Sequence, residues 1–274
     1  MSEPAPSLAS TFLSMHVPGS PLLMPNPWDV GSARLLASLG FRALATTSSG
    51  QAATLGRLDG RVSRDEAIAS AAAIASALAD EGVPVSADLE HGFADAPEGV
   101  AETARFAMEA GLAGFSIEDS TGVRDSPIYD FDLAVERVAA AASVVGSSCV
   151  LTARCERYLH GQRDLDEVIR RLQAFSSAGA HVLFAPGVVS ADEIRTVIGS
   201  VDKPVSVLAM PGCPPVAELA SLGVARVSVG GAFAYASLGA LVDAAVELRD
   251  NGTYEYLAMS APARDTARTA FRDR

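Results

Sequence analysis

Along residues 21–231 the chain alternates between short apolar runs and longer stretches with helical spacing. The apolar runs are PLLMPNPW (21–28), RALATTSS (42–49), VPVSADLE (83–90), GFSIED (114–119), CVLTARCE (149–156), HVLFAPG (181–187), PVSVLAM (204–210) and ARVSVGG (225–231). Each is rich in Val, Ile, Leu and Ala with little polar alternation, the pattern of strands covered on both faces. The segments between them read as helices. SRDEAIASAAAIASALADEG opens with a Ser cap, carries acids in its first turn and ends on Gly; PEGVAETARFAMEAG opens on Pro and closes on Gly. DFDLAVERVAAAASVVG, DLDEVIRRLQAFSSAG, SADEIRTVIG and PPVAELASLG follow the same scheme. Eight βα units in about 250 residues predict a (β/α)8 TIM barrel. A doubly wound sheet would carry a Gly-rich phosphate turn after its first strand, and PWDVGSAR has one Gly there. The chain, 1–274, is thus expected to form a single barrel domain with a short N-terminal arm and a helical C-terminal tail.

Barrels of this kind place their chemistry at the C-terminal ends of the strands. The first run ends in Asn26, Trp28 and Asp29, the second in Thr46, Thr47, Ser48, Ser49 and Gly50, and the third in Asp88 and Glu90. The fourth ends in Glu118 and Asp119, and the fifth in Arg154 and Glu156. Asp88 and Glu90 stand two apart, on one face if the strand runs through both, and like charges so placed need a cation or a proton between them. A hydrated Mg²⁺, with Mn²⁺ as the alternative, suits an all-oxygen set of Asp88, Glu90 and Glu118. Each acid taken alone would more simply cap a helix or pair with an arginine such as Arg154. The hydroxyl-rich loop TTSSGQAATLG could present backbone N–H groups to a carboxylate or phosphate, or be an ordinary turn. His91 reads as support for the Glu90 region, His160 as within reach of the mouth, His181 as structural, and Cys155 as packing.

Composition narrows the partners. A net charge of −12 argues against nucleic acid and against an anionic membrane surface. The first twenty residues lack a secretory pattern, and the Ala-rich helix is too weakly apolar to span a bilayer. Three unpaired cysteines suit a reducing compartment, so the expectation is a cytoplasmic protein. The single lysine, Lys203, precedes a strand, at the wrong end for Schiff-base chemistry.

NPWDVGSARLL, ATTSSG, LGRLDG, SADLEHGF, FSIEDS, TARCERYL and RVSVGG, in that order, resemble the isocitrate lyase and phosphoenolpyruvate mutase superfamily over about residues 20–235. The resemblance implies a barrel that assembles as a dimer of dimers with a C-terminal helix swapped between subunits. It implies a small 2-oxo or 2-hydroxy acid as substrate and C–C or P–C chemistry through a metal-stabilised enolate. By position Asp88 would bind Mg²⁺ directly, with Glu90 and Glu118 holding its waters. Ser48, Ser49 and Gly50 would grip the substrate carboxylate, Asp59 would stand near the metal waters, Arg154 would orient the substrate, and Trp28 would border the pocket. The sequence departs from the family after the fourth strand. The lyases carry Lys-Lys-Cys-Gly-His there, whereas this chain reads DSTGVRDSPIYDFD. The favoured expectation is cleavage or decarboxylation of an oxaloacetate-like or substituted malate-like acid. The alternatives are P–C bond chemistry and a non-catalytic dicarboxylate-binding barrel.

Overall fold

The computed structural model describes residues 6–272; the first five residues of the expected arm and the last two of the tail lie outside the described residues. Eight parallel strands alternate with helices in a nearly closed barrel. They are β1 (Leu22–Met24), β2 (Leu44–Ala45), β3 (Val85–Asp88), β4 (Gly114–Glu118), β5 (Val150–Arg154), β6 (Val182–Phe184), β7 (Val205–Leu208) and β8 (Arg226–Ser228). All eight fall inside the runs read from the sequence, and each is shorter than its run. The ladder runs β1-β8-β7-β6-β5-β4-β3-β2. Between β1 and β2 the closure is thin. The Ala45 N–H donates to the Pro25 carbonyl at 3.2 Å, and the Asn26 carboxamide donates to the Thr46 carbonyl at 3.0 Å.

The helices start where the chain supplies a cap. α1 (Leu8–Ser14) is capped by Ser7, and α2 (Val30–Ser38) by Asp29, whose side chain takes the Ser32 N–H. α3 (Ser48–Thr54) is capped by Thr47, and α4 (Arg64–Ala77) by a reciprocal Ser63–Glu66 box. α5 (Pro97–Glu109) opens on Pro, and α6 (Phe131–Val145), α7 (Leu165–Ser177), α8 (Ala191–Ser200) and α9 (Val216–Ser221) complete the outer layer. α10 (Ala232–Asp250) and α11 (Leu257–Ala270) form the helical tail. α11 returns to α2, where Phe271 approaches Gly31. α10 buries only Ala234 and leaves Phe233, Tyr235, Leu238, Leu241, Val242, Val246 and Leu248 exposed. Among the described residues no helix is long and apolar enough to cross a membrane.

Two apolar clusters divide the core. The larger lies between strands and helices and includes Leu44, Ile74, Phe115, Leu151, Leu172 and Leu183. The smaller fills the lower end of the barrel with Phe12, Leu22, Met24, Ala43, Ala45, Ala113, Val150 and Val182. Phe12, from α1, is completely buried there. Gly114 makes its approach possible, since a Cβ at 114 would lie 2.8 Å from the Phe12 ring and 2.8 Å from the Val150 carbonyl oxygen. The arm read from the sequence is therefore a plug for the barrel floor.

Two local readings need correction. Residues 48–50, read as a loop at a strand end, form the first turn of α3, because the Thr47 side chain caps them. Glu90, read as the last residue of a strand, lies beyond it: β3 ends at Asp88, and Glu90 and Phe93 take left-handed φ of 47° and 57°. The i, i+2 rule that would put Asp88 and Glu90 on one face stops with the strand.

Candidate active site

The strand ends of β3 to β5 converge on one guanidinium. Arg154, the last residue of β5, donates from Nη1 to Asp88 at 2.7 Å and from Nε to Glu156 at 2.9 Å, and its Nη2 lies 3.2 Å from Glu118. Asp88 ends β3 and Glu118 ends β4, and parallel register sets Glu118 opposite Arg154. The second oxygen of Asp88 accepts the Ser48 N–H from the first turn of α3 at 3.2 Å, and the Asp88 N–H donates to the Thr46 hydroxyl at 2.9 Å. Arg154 and Ser48 thus fix the carboxylate, and Thr46 fixes the backbone that carries it.

Negative charge exceeds what Arg154 neutralises. Burial pushes the Glu90 carboxyl up to about 8, and the charges of Asp88 and Asp59 add to the shift. Asp59 keeps one side in solvent, yet desolvation raises its pKa, with Asp88 contributing; a hydrogen bond with Ser48 opposes the rise. Glu118 is raised well above the carboxylate range, first by burial and then by the acids around it, against the pull of Arg154. The same acids hold Arg154 firmly protonated despite its burial.

Asp59, Asp88, Glu90, Glu118 and Glu156 against one arginine form an oxygen-rich, electron-rich site that suits a divalent ion of the Mg²⁺ kind. Among the described residues no three His, Cys, Asp or Glu side chains close around a single point. That arrangement fits a metal that keeps most of its water and takes one direct carboxylate.

Below this cluster lies a cavity of about 220 Å³. Ser48, Ser49, Asp59, Asp88 and Arg154 are in its wall, together with Asn26, Phe184 and Arg226. Gly50 and Trp28 sit behind that wall. The Gly50 N–H is turned to the Thr47 hydroxyl, and a Cβ at position 50 would lie 3.0 Å from Trp28 Cβ. Asn26, two residues beyond β1, lines the interior where Trp28 does not, and its side-chain oxygen accepts the Val229 and Gly230 N–H groups at 2.9 Å each.

The remaining polar residues hold the frame. Asp119 accepts the Glu156 N–H at 2.7 Å and pairs with Arg171 at 3.1 Å. Arg137 donates to the carbonyls of His91, Ala94 and Asp95, fixing the turn that carries Glu90. The segment after β4 folds on itself through Thr121, whose N–H meets the Pro127 carbonyl, and leaves Arg124 exposed. His160 reaches Ser120 at 3.3 Å, His181 accepts the Leu151 N–H, and Cys155 is buried in the main core. Sequence reasoning missed Phe184, Ser206 and Arg226. The available signal was Arg226 itself, a charge inside the apolar run ARVSV.

Comparison with known proteins gives consistent matches. The family described as phosphoenolpyruvate phosphomutase matches residues 12–249. A structure from Burkholderia cenocepacia, provisionally designated a lyase/mutase, is 50% identical, covers 96% of this chain and 95% of its own, and superposes with a TM-score of 0.90. An uncharacterized protein of Mycobacterium tuberculosis is 34% identical over 92% of this chain and 93% of its own length. The oxaloacetate decarboxylase of Paraburkholderia xenovorans is 31% identical over 82% of this chain and 77% of its own.

Proposed function

Because the chain belongs to the isocitrate lyase and phosphoenolpyruvate mutase superfamily, we propose that it is a Mg²⁺-dependent lyase acting on a small 2-oxo or 2-hydroxy di- or tricarboxylate. The reaction is cleavage of the C–C bond next to the carbonyl, or decarboxylation there. The observation that carries this reading is the Arg154 clasp of Asp88, Glu118 and Glu156 at the cavity, with Glu90 and Asp59 beside it and in no ion pair among the described residues.

Asp88, Glu90 and Glu118 would hold the metal, Mn²⁺ substituting, directly or through water. The ion supplies Lewis acidity that lowers the cost of negative charge on the carbonyl oxygen. Arg154 orients the substrate carboxylate through parallel N–H groups and gives up part of its acid contacts to do so. Ser48 and Ser49, at the start of α3, present polar groups to the same carboxylate, with Gly50 and Trp28 packed behind them. Asp59 carries a raised pKa beside the cavity, so it is suited to hold and return a proton. No amine is required, in keeping with a single lysine exposed on the surface.

The test is turnover with Mg²⁺ of oxaloacetate, substituted malates, methylisocitrate and phosphonopyruvate, read by release of pyruvate, glyoxylate, CO₂ or phosphate. Pyruvate, glyoxylate or CO₂ release that vanishes with chelator supports the lyase. Phosphate release from phosphonopyruvate alone moves the assignment to P–C chemistry. Binding without turnover of any of these acids identifies a non-catalytic dicarboxylate-binding barrel. The exposed apolar side of α10 also suits the swapped-helix oligomer, which light scattering tests directly: a monomer at micromolar concentration contradicts it.

A further inference from the structure

Arg226 has no role in the site as described, and its surroundings are unusual for a buried charge. It opens β8, is 2% exposed, and forms part of the cavity wall. Its Nε donates to the Ser206 hydroxyl at 2.8 Å, and its Nη1 to the Thr152 hydroxyl at 3.1 Å and to His16 Nε2 at 3.3 Å. All three acceptors are neutral. His16 Nδ1 lies 2.9 Å from the Phe12 carbonyl, which can only accept, so Nδ1 carries the proton and Nε2 offers a lone pair. Among the described residues no carboxylate lies within ion-pair distance of Arg226, and its Nη2 has no protein acceptor. Burial and the charge of Arg154 lower its pKa to about 9, which still leaves it cationic at neutral pH.

A buried charge without a counter-charge is expensive, and an enclosed guanidinium normally has a carboxylate beside it. Here the register continues from the mouth to this group. Arg154 pairs with Phe184, Phe184 with Ser206, and Ser206 with Arg226, on four neighbouring strands. Both guanidinium groups approach the Phe184 ring, at 5.4 Å for Arg154 and 6.0 Å for Arg226. Both arginines border the same cavity, whose wall also includes Ser86, Ser116 and Ser228.

We propose that Arg226 forms an anion subsite at the cavity floor that receives the distal carboxylate of a dicarboxylic substrate, with Ser206 and Thr152 orienting the guanidinium. This rests on the lyase reading for which end of the acid reacts. Arg154 and the acids of the mouth handle the oxo-acid end, and Arg226 selects for a second carboxylate reaching down the barrel. The ligand class is therefore a linear 2-oxo or 2-hydroxy dicarboxylate in preference to its monocarboxylate.

The experiment measures binding of malate and of lactate by calorimetry to the full chain with Mg²⁺, in wild type, Arg226→Gln and Arg226→Met. Wild type is expected to bind malate at least ~10-fold more tightly than lactate, the scale of a charge-assisted contact. Arg226→Gln keeps polar contact with Ser206 and Thr152, so it guards against simple misfolding. It is expected to bring malate down to the lactate level and to leave lactate binding unchanged. Equal affinities in wild type, absence of malate binding, or a preference that survives both substitutions overturns the subsite. Failure of the lyase reading appears separately, as malate preference without turnover of any oxo acid.

Discussion

The two arginines that border the cavity sit in opposite electrostatic settings. Arg154 at the mouth faces Asp88, Glu118 and Glu156, and its charge is more than matched. Arg226 at the floor faces two hydroxyls and a neutral imidazole, and its charge is not matched at all. Both are enclosed, so burial cannot explain the difference in their pKa shifts, which run upward for Arg154 and downward for Arg226. The partner decides the sign. A site that carries surplus negative charge at one end and an unanswered positive charge at the other is polarised along the barrel axis. Under the proposed function, that arrangement favours a ligand with a metal-binding end and an anionic tail.

The contrast can be broken most sharply at the mouth. Asp88→Ala removes the carboxylate fixed by Arg154 and Ser48, and Mg²⁺-dependent turnover is expected to fall about 10³-fold while circular dichroism is unchanged. Ordinary turnover in that variant rejects the metal assignment. Arg154→Met is expected to lose about 10²-fold in kcat/KM, the scale of a bidentate charged contact. An unchanged kcat/KM would reduce Arg154 to a structural ion pair.

The floor can be tested by acid. Burial and the charge of Arg226 lower His16 from 6.5 to about 3. The unfolded chain takes up that proton first, so stability is lost as pH falls below about 6.5 toward 3. Relative to His16→Gln, wild type is expected to lose on the order of 3 kcal/mol between pH 7 and pH 4. Denaturant unfolding of the two proteins at several pH values reads the difference, and parallel curves would remove His16 from the floor. The smallest effect is expected at Gly50→Ala. The new methyl would lie 2.6 Å from Thr47 Cγ2 and 3.0 Å from Trp28 Cβ, at a cost of about 1–3 kcal/mol in stability. A Tm equal to wild type would show that the start of α3 can shift freely.

How much of this was legible in the sequence follows from where the signal is local. The eight strands were readable because a strand covered on both faces must be apolar throughout, as VLTA in β5 and VLF in β6 are. Asp88, Glu118 and Arg154 were readable because each ends its strand, and barrel topology brings strand ends together. Nothing in SADLEHGF marks the left-handed turn at Glu90, because Arg137 stabilises that turn from 46 residues away. TTSSG at the start of α3 has the composition of a turn, and only the Thr47 cap makes it helix. His16 and Arg226 are 210 residues apart, so no local pattern announces their meeting.

The barrel has one weak joint. Seven of its eight seams are ladders, but β1 and β2 meet through the single Ala45 amide and the Asn26 carboxamide, which also fastens the Val229 and Gly230 amides of the adjoining stave. In native-state hydrogen exchange the Ala45 N–H should therefore trade its proton well before those of β4 and β5, marking the joint where the cylinder first gapes.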